Sequence, residues 1–356
     1  MIKKIEIERF RGIDHFVMED LTPFTMLAGK NNVGKSSFLE AIFLFYDHFA
    51  PDVFAKLSNL RGGFIEPNMS LWAPLFYQMD MGQELQIKIE YQDEKSATLQ
   101  FKRDMDFAIT SSQNMDPVLT NLMINGINTD QILRFTYEHE GYKESGFFSA
   151  TDNSIMVNMN TSLQANAREK LPWTLYINPF TVRIPQDVTE WIGRLEIEGS
   201  KNEAVDLLRL INPDIRDVFT ASQNGQTQIY IKGSQGVLPL KYAGDGIIRL
   251  LYMMAAIMSN PNSVILVDEI ENGFHYSMYQ KLLASLARVA EEKNCQIIAT
   301  THSYEILSDG IRGVLDEGLG DSFSLHRLER SNEGLMDYCF DIEMLNVAIN
   351  SYMEVR

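Results

Sequence analysis

The clearest chemistry in the chain lies in eight consecutive residues, Gly29-Lys30-Asn31-Asn32-Val33-Gly34-Lys35-Ser36. They fit G-x-x-x-x-G-K-[ST] in full, between the short apolar stretch "FTMLA" and the helical "SSFLEAIFLF". Glycine permits the positive φ and the close backbone approach that a phosphate needs. Successive N–H groups and a helix N-terminus then face the anion. In that frame Lys35 reaches the β- and γ-phosphates of a nucleotide such as ATP. Ser36 offers its hydroxyl to Mg2+, and Ser37 continues the loop into the helix. The competing reading is a glycine-rich turn before a core helix.

A second group supplies the chemistry that a phosphate loop lacks. "VILVDE" (264–269) is an apolar strand that delivers Asp268 and Glu269 at its carboxyl end. That edge is where ligands bind in parallel sheets. Asp268 is the expected magnesium ligand, and Glu269 the group that orients or deprotonates an attacking water. "IIATTHS" (297–303) sets His302 just past another apolar strand, within reach of a γ-phosphate or that water. An acidic turn and a helix-capping turn, with Ser303 as cap and Glu305 nearby, are the alternatives for these two segments.

The elements that must hold these residues follow from periodicity. Residues 2–8 alternate apolar and charged, as in an edge strand. "SSFLEAIFLFYDHF" is apolar nearly all round and predicts a buried helix. Residues 50–80 read as irregular. From 84 to about 158 the period is two, and "LQIKIEY", "ATLQF", "ILRFTYE" and "GFFSA" predict antiparallel strands. "WTLYINP" reads as a further strand, followed by two stretches of helical spacing and a hairpin around Gly233–Gly236. From 246 on, buried helix, apolar strand, helix and apolar strand alternate, the pattern of a parallel sheet. A strand pair and a helix close the chain. The resulting fold class is α/β, with a mixed or parallel core sheet, an antiparallel β subregion and an inserted helical region. We divide it into 1–160, an N-terminal lobe; 161–235, a mainly helical insert; and 236–356, a C-terminal lobe.

The 356 residues give ample material for a core, and 45% are hydrophobic. Cys295 and Cys339 are the only cysteines, which excludes a disulfide framework and favours a cytoplasmic setting. The N-terminus "MIKKIEIERF" has no apolar signal segment, and no run is apolar enough to span a membrane. The net charge of −17, from 31 basic and 48 acidic residues, disfavours a broad nucleic-acid surface and leaves a local basic patch open.

"IEIERFRGI", "GKNNVGKS", "ILVDE" and "ATTHS" together resemble the ABC-type ATPases of the SMC, RecF and OLD group. Within it, the nearest match is to the stand-alone OLD-like AAA ATPases of bacterial anti-phage defence systems. The resemblance implies a slow ATPase in which ATP is sandwiched between two heads. Each site then joins one copy's phosphate loop to a signature helix of the other, in a homodimer or higher oligomer. "YAGDGIIRLLYMMAAI" (242–257) stands where that helix belongs. Gly244-Asp245-Gly246 replaces the usual Ser-x-Gly, so the serine contact to the γ-phosphate is missing. The resemblance also places Arg11 of "FRG" on the nucleotide phosphates, a surface arginine being the alternative. Gln78, after "PLFY", is the candidate for the family's glutamine loop, a loop glutamine without a role being the alternative.

No heptad array lies in 50–240, against the SMC branch. The stretch after His302 is too short for the nuclease domain of OLD nucleases, and Asp104 and Asp106 read as solvated charge. The expectation is therefore an ATP-gated sensor or regulator that works beside a separately encoded effector. A DNA repair ATPase of the RecF or SMC type is the alternative.

Overall fold

Val264–Val267 is buried on both faces, with Val264 and Leu266 in one apolar core and Ile265 and Val267 in another. A strand of this kind needs a layer on each side, and the rest of the chain supplies both. The computed structural model describes residues 1–62, 71–103, 132–151, 154–159, 171–179, 186–223, 225–332, 334–341, 344–345 and 347.

In chain order the elements begin with β1 (Ile2–Phe10), β2 (Ile13–Met18), β3 (Phe24–Ala28), α1 (Lys35–Asp47) and α2 (Val53–Asn59). Then come β4 (Leu85–Tyr91), β5 (Ser96–Arg103), β6 (Ile132–His139), β7 (Tyr142–Thr151), β8 (Ser154–Met159) and β9 (Thr174–Ile177). Next are α3 (Gln186–Glu198), α4 (Lys201–Ile211), β10 (Asp217–Gln223), β11 (Gln226–Gly233), β12 (Gly236–Pro239) and α5 (Asp245–Ser259). The last are β13 (Val264–Val267), α6 (Tyr279–Glu292), β14 (Gln296–Thr300), α7 (Ile311–Asp316), β15 (Phe323–Ser331) and β16 (Gly334–Phe340).

The core sheet runs β16-β15-β3-β14-β13-β9. Every neighbouring pair from β15 to β9 is parallel, and β16 closes one edge antiparallel. An antiparallel seven-stranded sheet runs β2-β1-β4-β5-β6-β7-β8. α1 fills the layer between the two sheets. Phe38, Leu39, Ile42 and Phe45 share a core with Ile5, Ile7 and Ile87 of one sheet and Leu266 and Ile298 of the other. This explains a helix that is apolar all round. α5, α6 and α3 cover the opposite face of the core sheet through Leu251, Met254, Leu283 and Leu195.

Residues 161–235, expected as a mainly helical insert, hold more than helices. Their described part contributes α3 and α4, but also β9 to the core sheet and β10 and β11 to a separate sheet with β12. The expected irregular stretch 50–80 contains α2, anchored by buried Val53, Phe54 and Leu57. Its seven residues are too few for a periodic signal beside three prolines. Asp104 and Asp106 lie outside the described residues, as does most of the expected terminal helix. Among the described residues no helix is long and apolar enough to cross a membrane.

Candidate nucleotide site

The loop after β3 turns through two glycines with positive φ, Gly29 at 135° and Gly34 at 129°. A Cβ on Gly29 would lie 2.4 Å from the Leu328 carbonyl oxygen of β15, so glycine is required there twice over. α1 starts at Lys35 with no side-chain cap among the described residues and no acidic residue in its first turn. Its first N–H groups and dipole are therefore left to an external anion. Lys35 curls back over the loop, and its Nζ donates to the Gly29 carbonyl at 2.6 Å and the Lys30 carbonyl at 3.0 Å. Lys30, Asn31 and Asn32 are exposed on the rim, Val33 is buried beneath, and Ser36 and Ser37 are half-buried.

The parallel sheet brings the acidic group to the same edge. Burial lowers the Lys35 pKa, and Asp268, Glu271 and Glu269 act against that shift through their charge. Asp268 is oriented by two hydroxyls: Thr300 Oγ1 donates to its Oδ1 at 2.5 Å, and Tyr176 donates to its Oδ2 at 3.3 Å. Burial and the neighbouring Asp268 raise the Tyr176 pKa far above the usual phenol value, so the phenol keeps its proton. Thr300 Oγ1 also accepts the Glu269 backbone N–H at 2.9 Å.

Glu269 has φ 50°, a left-handed conformation that costs a non-glycine residue about 1 kcal/mol or more. Arg249 of α5, buried beneath this turn, holds it in place. Its Nη2 donates to the carbonyls of Asp268 at 2.7 Å and Glu269 at 2.9 Å.

His302 is exposed and is tied to Glu271 rather than to Glu269. Its backbone N–H donates to Glu271 Oε1 at 3.0 Å, and its Nδ1 lies 3.1 Å from the same oxygen. With its Nδ1 proton on Glu271, a neutral ring turns Nε2 outward as an acceptor, and an imidazolium turns it outward as a donor. The other Glu271 oxygen is buried and has no hydrogen-bond partner among the described residues. Ser303 also caps the following helix, since its Oγ accepts the Ile306 N–H at 3.3 Å. The helix-capping reading of "ATTHS" is thus present in the geometry.

Arg11 sits in the β1–β2 turn with its Nε 2.8 Å from Glu40 of α1, a carboxylate that is 2% exposed. Arg61 shares this carboxylate and also donates to Ser37 Oγ at 3.2 Å, next to the phosphate loop. Gly244 and Asp245 are exposed at the start of α5, and among the described residues no side chain caps it. Gly246 is buried, and a Cβ there would come 2.3 Å from the Gly273 carbonyl oxygen. This contact fixes the start of α5 against the turn that follows Glu269. Gln78 lies exposed in a surface turn at φ 52°. Asn178, the residue after β9, is buried, and Asp268 N–H donates to the Ile177 carbonyl at 2.7 Å.

Sequence reasoning missed Thr300, Tyr176, Arg249, Glu271 and Arg61. Among them Thr300 stands inside "IIATTHS" and Arg249 inside "YAGDGIIRLLYMMAAI", and neither spacing marks a role. The donors present fit a nucleoside triphosphate with Mg2+. The loop N–H groups and Lys35 suit phosphate oxygens, and the Ser36 hydroxyl and Asp268 carboxylate are hard oxygen ligands of the kind magnesium takes.

A family model described as an AAA ATPase domain matches residues 1–170 and 140–307. An ATP/GTP phosphatase of Helicobacter pylori is 25% identical over 355 residues, covering 92% of this chain and 90% of that protein. The DNA replication and repair protein RecF of Acinetobacter baylyi is 22% identical over 374 residues, covering 92% and 98%. The structure of an SMC head bound to the C-winged helix domain of ScpA has a TM-score of 0.55 at 12% identity, covering 96% of this chain and 98% of that one. The SMC head domain from Thermotoga maritima gives 0.51 at 11% identity, covering 96% and 99%. Those two show a shared α/β head fold. Matched by the family model over most of its length, and carrying the phosphate loop and paired carboxylates on one sheet edge, the chain belongs to the AAA ATPase domain family.

Proposed function

We propose that the chain is an ATP-hydrolysing switch that closes as a homodimer and regulates a separately encoded effector. The observation that carries this reading is the convergence of Lys35, Asp268 and Glu269 at one edge of the sheet, with the start of α5 exposed.

In this reading Gly29–Ser37 cradle the phosphates, and Lys35 leaves the loop carbonyls for the β- and γ-phosphate oxygens. Ser36 and Asp268 hold magnesium, which when bound neutralises charge on the transferred phosphate. Glu269 takes a proton from the attacking water. His302, braced by Glu271, hydrogen-bonds the γ-phosphate or that water through Nε2. Gly244, Asp245 and Gly246 of a second copy close the site through backbone N–H groups, since Asp245 offers no hydroxyl donor. Arg11 and Arg61 hold the start of α1 through Glu40 and reach the phosphate side from there.

Similarity to the Helicobacter pylori ATP/GTP phosphatase supports turnover. A protein partner is supported by the net charge of −17 and by the matched SMC head, which carries a bound ScpA domain. The place in anti-phage defence rests on the OLD-like resemblance. A second reading, a DNA repair ATPase, is favoured by the similarity to RecF. Salt-dependent duplex binding that is lost in Lys35→Ala would support this second reading.

Glu269→Gln tests the catalytic assignment. Phosphate release should fall at least about tenfold while ATP binding persists. Unchanged release removes Glu269 from its role.

A further inference from the structure

The two cysteines occupy opposite environments. Cys295 is buried, with Sγ against Ser263 Oγ and neighbouring backbone carbonyls. Cys339 is exposed on β16, directly opposite His326 in the β15–β16 register. His326 is fully buried, yet its Nε2 lies 3.8 Å from Cys339 Sγ and its Nδ1 lies 2.8 Å from Asp337 Oδ2. Asp337 and Cys339 are two residues apart on one strand, so both side chains stand on the face that meets the ring. Among the described residues the second Asp337 oxygen, which is buried, has no hydrogen-bond partner.

Carboxylate, imidazole and thiol thus form a chain of contacts that ends at an exposed cysteine. Burial pulls the His326 pKa down, but hydrogen bonds to Asp337 and Cys339 and their charges outweigh it and carry the value to about 9. At neutral pH the ring therefore holds a proton on each nitrogen, and the one on Nε2 faces the sulfur. A cationic donor beside a thiol stabilises its thiolate, the form that attacks electrophiles. The nucleotide site uses none of these three residues.

We propose that Cys339 is a nucleophilic thiol and a modification site, set up by the His326–Asp337 pair for attack on peroxides and soft electrophiles. With hydrogen peroxide the sulfur attacks one oxygen, an S–O bond forms and the O–O bond breaks. Sulfur is oxidised to a sulfenic acid, and the departing hydroxide takes the His326 Nε2 proton and leaves as water. With iodoacetamide an S–C bond forms and iodide leaves.

The position gives this chemistry a route to the nucleotide loop. β15 pairs with β3 from Phe323 to Arg327, just ahead of that loop. Beyond His326 the same strand places the Leu328 carbonyl against Gly29, and Arg330 Nη2 donates to the carbonyls of Gly12 at 2.9 Å and Val33 at 3.3 Å. A group added at Cys339 displaces the His326 contact on a strand that braces the loop, and lowers ATP turnover.

The test is the rate of iodoacetamide labelling of the full chain at neutral pH, resolved per cysteine by mass spectrometry. Cys339 should label at least about tenfold faster in the wild type than in His326→Asn or Asp337→Asn, with Cys295 unlabelled in all three. Equal rates overturn the proposal. Asp337→Asn carries the comparison if His326→Asn fails to fold. The labelled wild type should also turn over ATP at least about twofold more slowly than mock-treated protein, with Cys339→Ser insensitive to the reagent. Unchanged turnover after full labelling overturns the coupling to the loop. This last arm rests on the ATPase reading, and absence of turnover in untreated protein counts against that reading instead.

Discussion

Asp268 takes its orientation from side chains on two other strands of the core sheet, Thr300 at the end of β14 and Tyr176 in β9. The Thr300 hydroxyl does two things at once, donating to Asp268 and accepting the Glu269 N–H. Thr300→Val keeps the shape and removes both bonds, leaving a strained backbone N–H unsatisfied. We expect a loss of about 1–3 kcal/mol in urea unfolding, together with slower phosphate release. Unchanged stability would mean that the Glu269 turn is held by Arg249 alone. Residues of this kind were not legible in the sequence. "VILVDE" and "IIATTHS" display their own carboxylates and histidine, because a motif is a local pattern. That Thr300 meets Asp268, or that Arg249 meets the carbonyls after β13, is a fact of strand order and helix rotation, which local spacing does not encode. His302 shows the converse limit. Its position was legible, but its partner Glu271 was hidden in an unremarkable acidic turn.

The strand β13, apolar on both faces, and the all-round apolar α1 announced a parallel sheet and a sandwiched helix, and the structure has both. β9, with four residues, carried less signal, and its place at the edge of the core sheet came only with the structure. The same holds for α2. Glycines test how tightly elements are docked. Gly246 is locked against the Gly273 carbonyl, whereas Gly193 within α3 has open space around its missing Cβ. Gly246→Ala should therefore destabilise by about 1–3 kcal/mol as α5 is forced off the Glu269 turn. Gly193→Ala should stabilise by about 0.5–1 kcal/mol through helix propensity. Thermal unfolding of the two variants checks the opposite signs, and the same sign for both contradicts the docking.

Across the whole molecule, two buried histidines set opposite limits on stability. His326 is raised from 6.5 to about 9, so its contribution is full below pH 6.5 and is lost as pH rises through 9. His48 is pushed by burial from 6.5 down to about 3, so its contribution is full above pH 6.5 and is lost as pH falls toward 3. Urea unfolding across pH should peak near 6.5 and fall by a few kcal/mol on each side, with His326→Asn flattening the alkaline limb. The larger question is what the exposed start of α5 meets. Gly244 and Asp245 are exposed in the single chain, and the proposed dimer sets them over the phosphate loop of the second copy. The most direct measurement is the mass in solution of Glu269→Gln, by sedimentation velocity with and without ATP and magnesium. The account predicts a monomer without nucleotide and a dimer with it, reversed by Lys35→Ala. A mass that does not respond to ATP would contradict it.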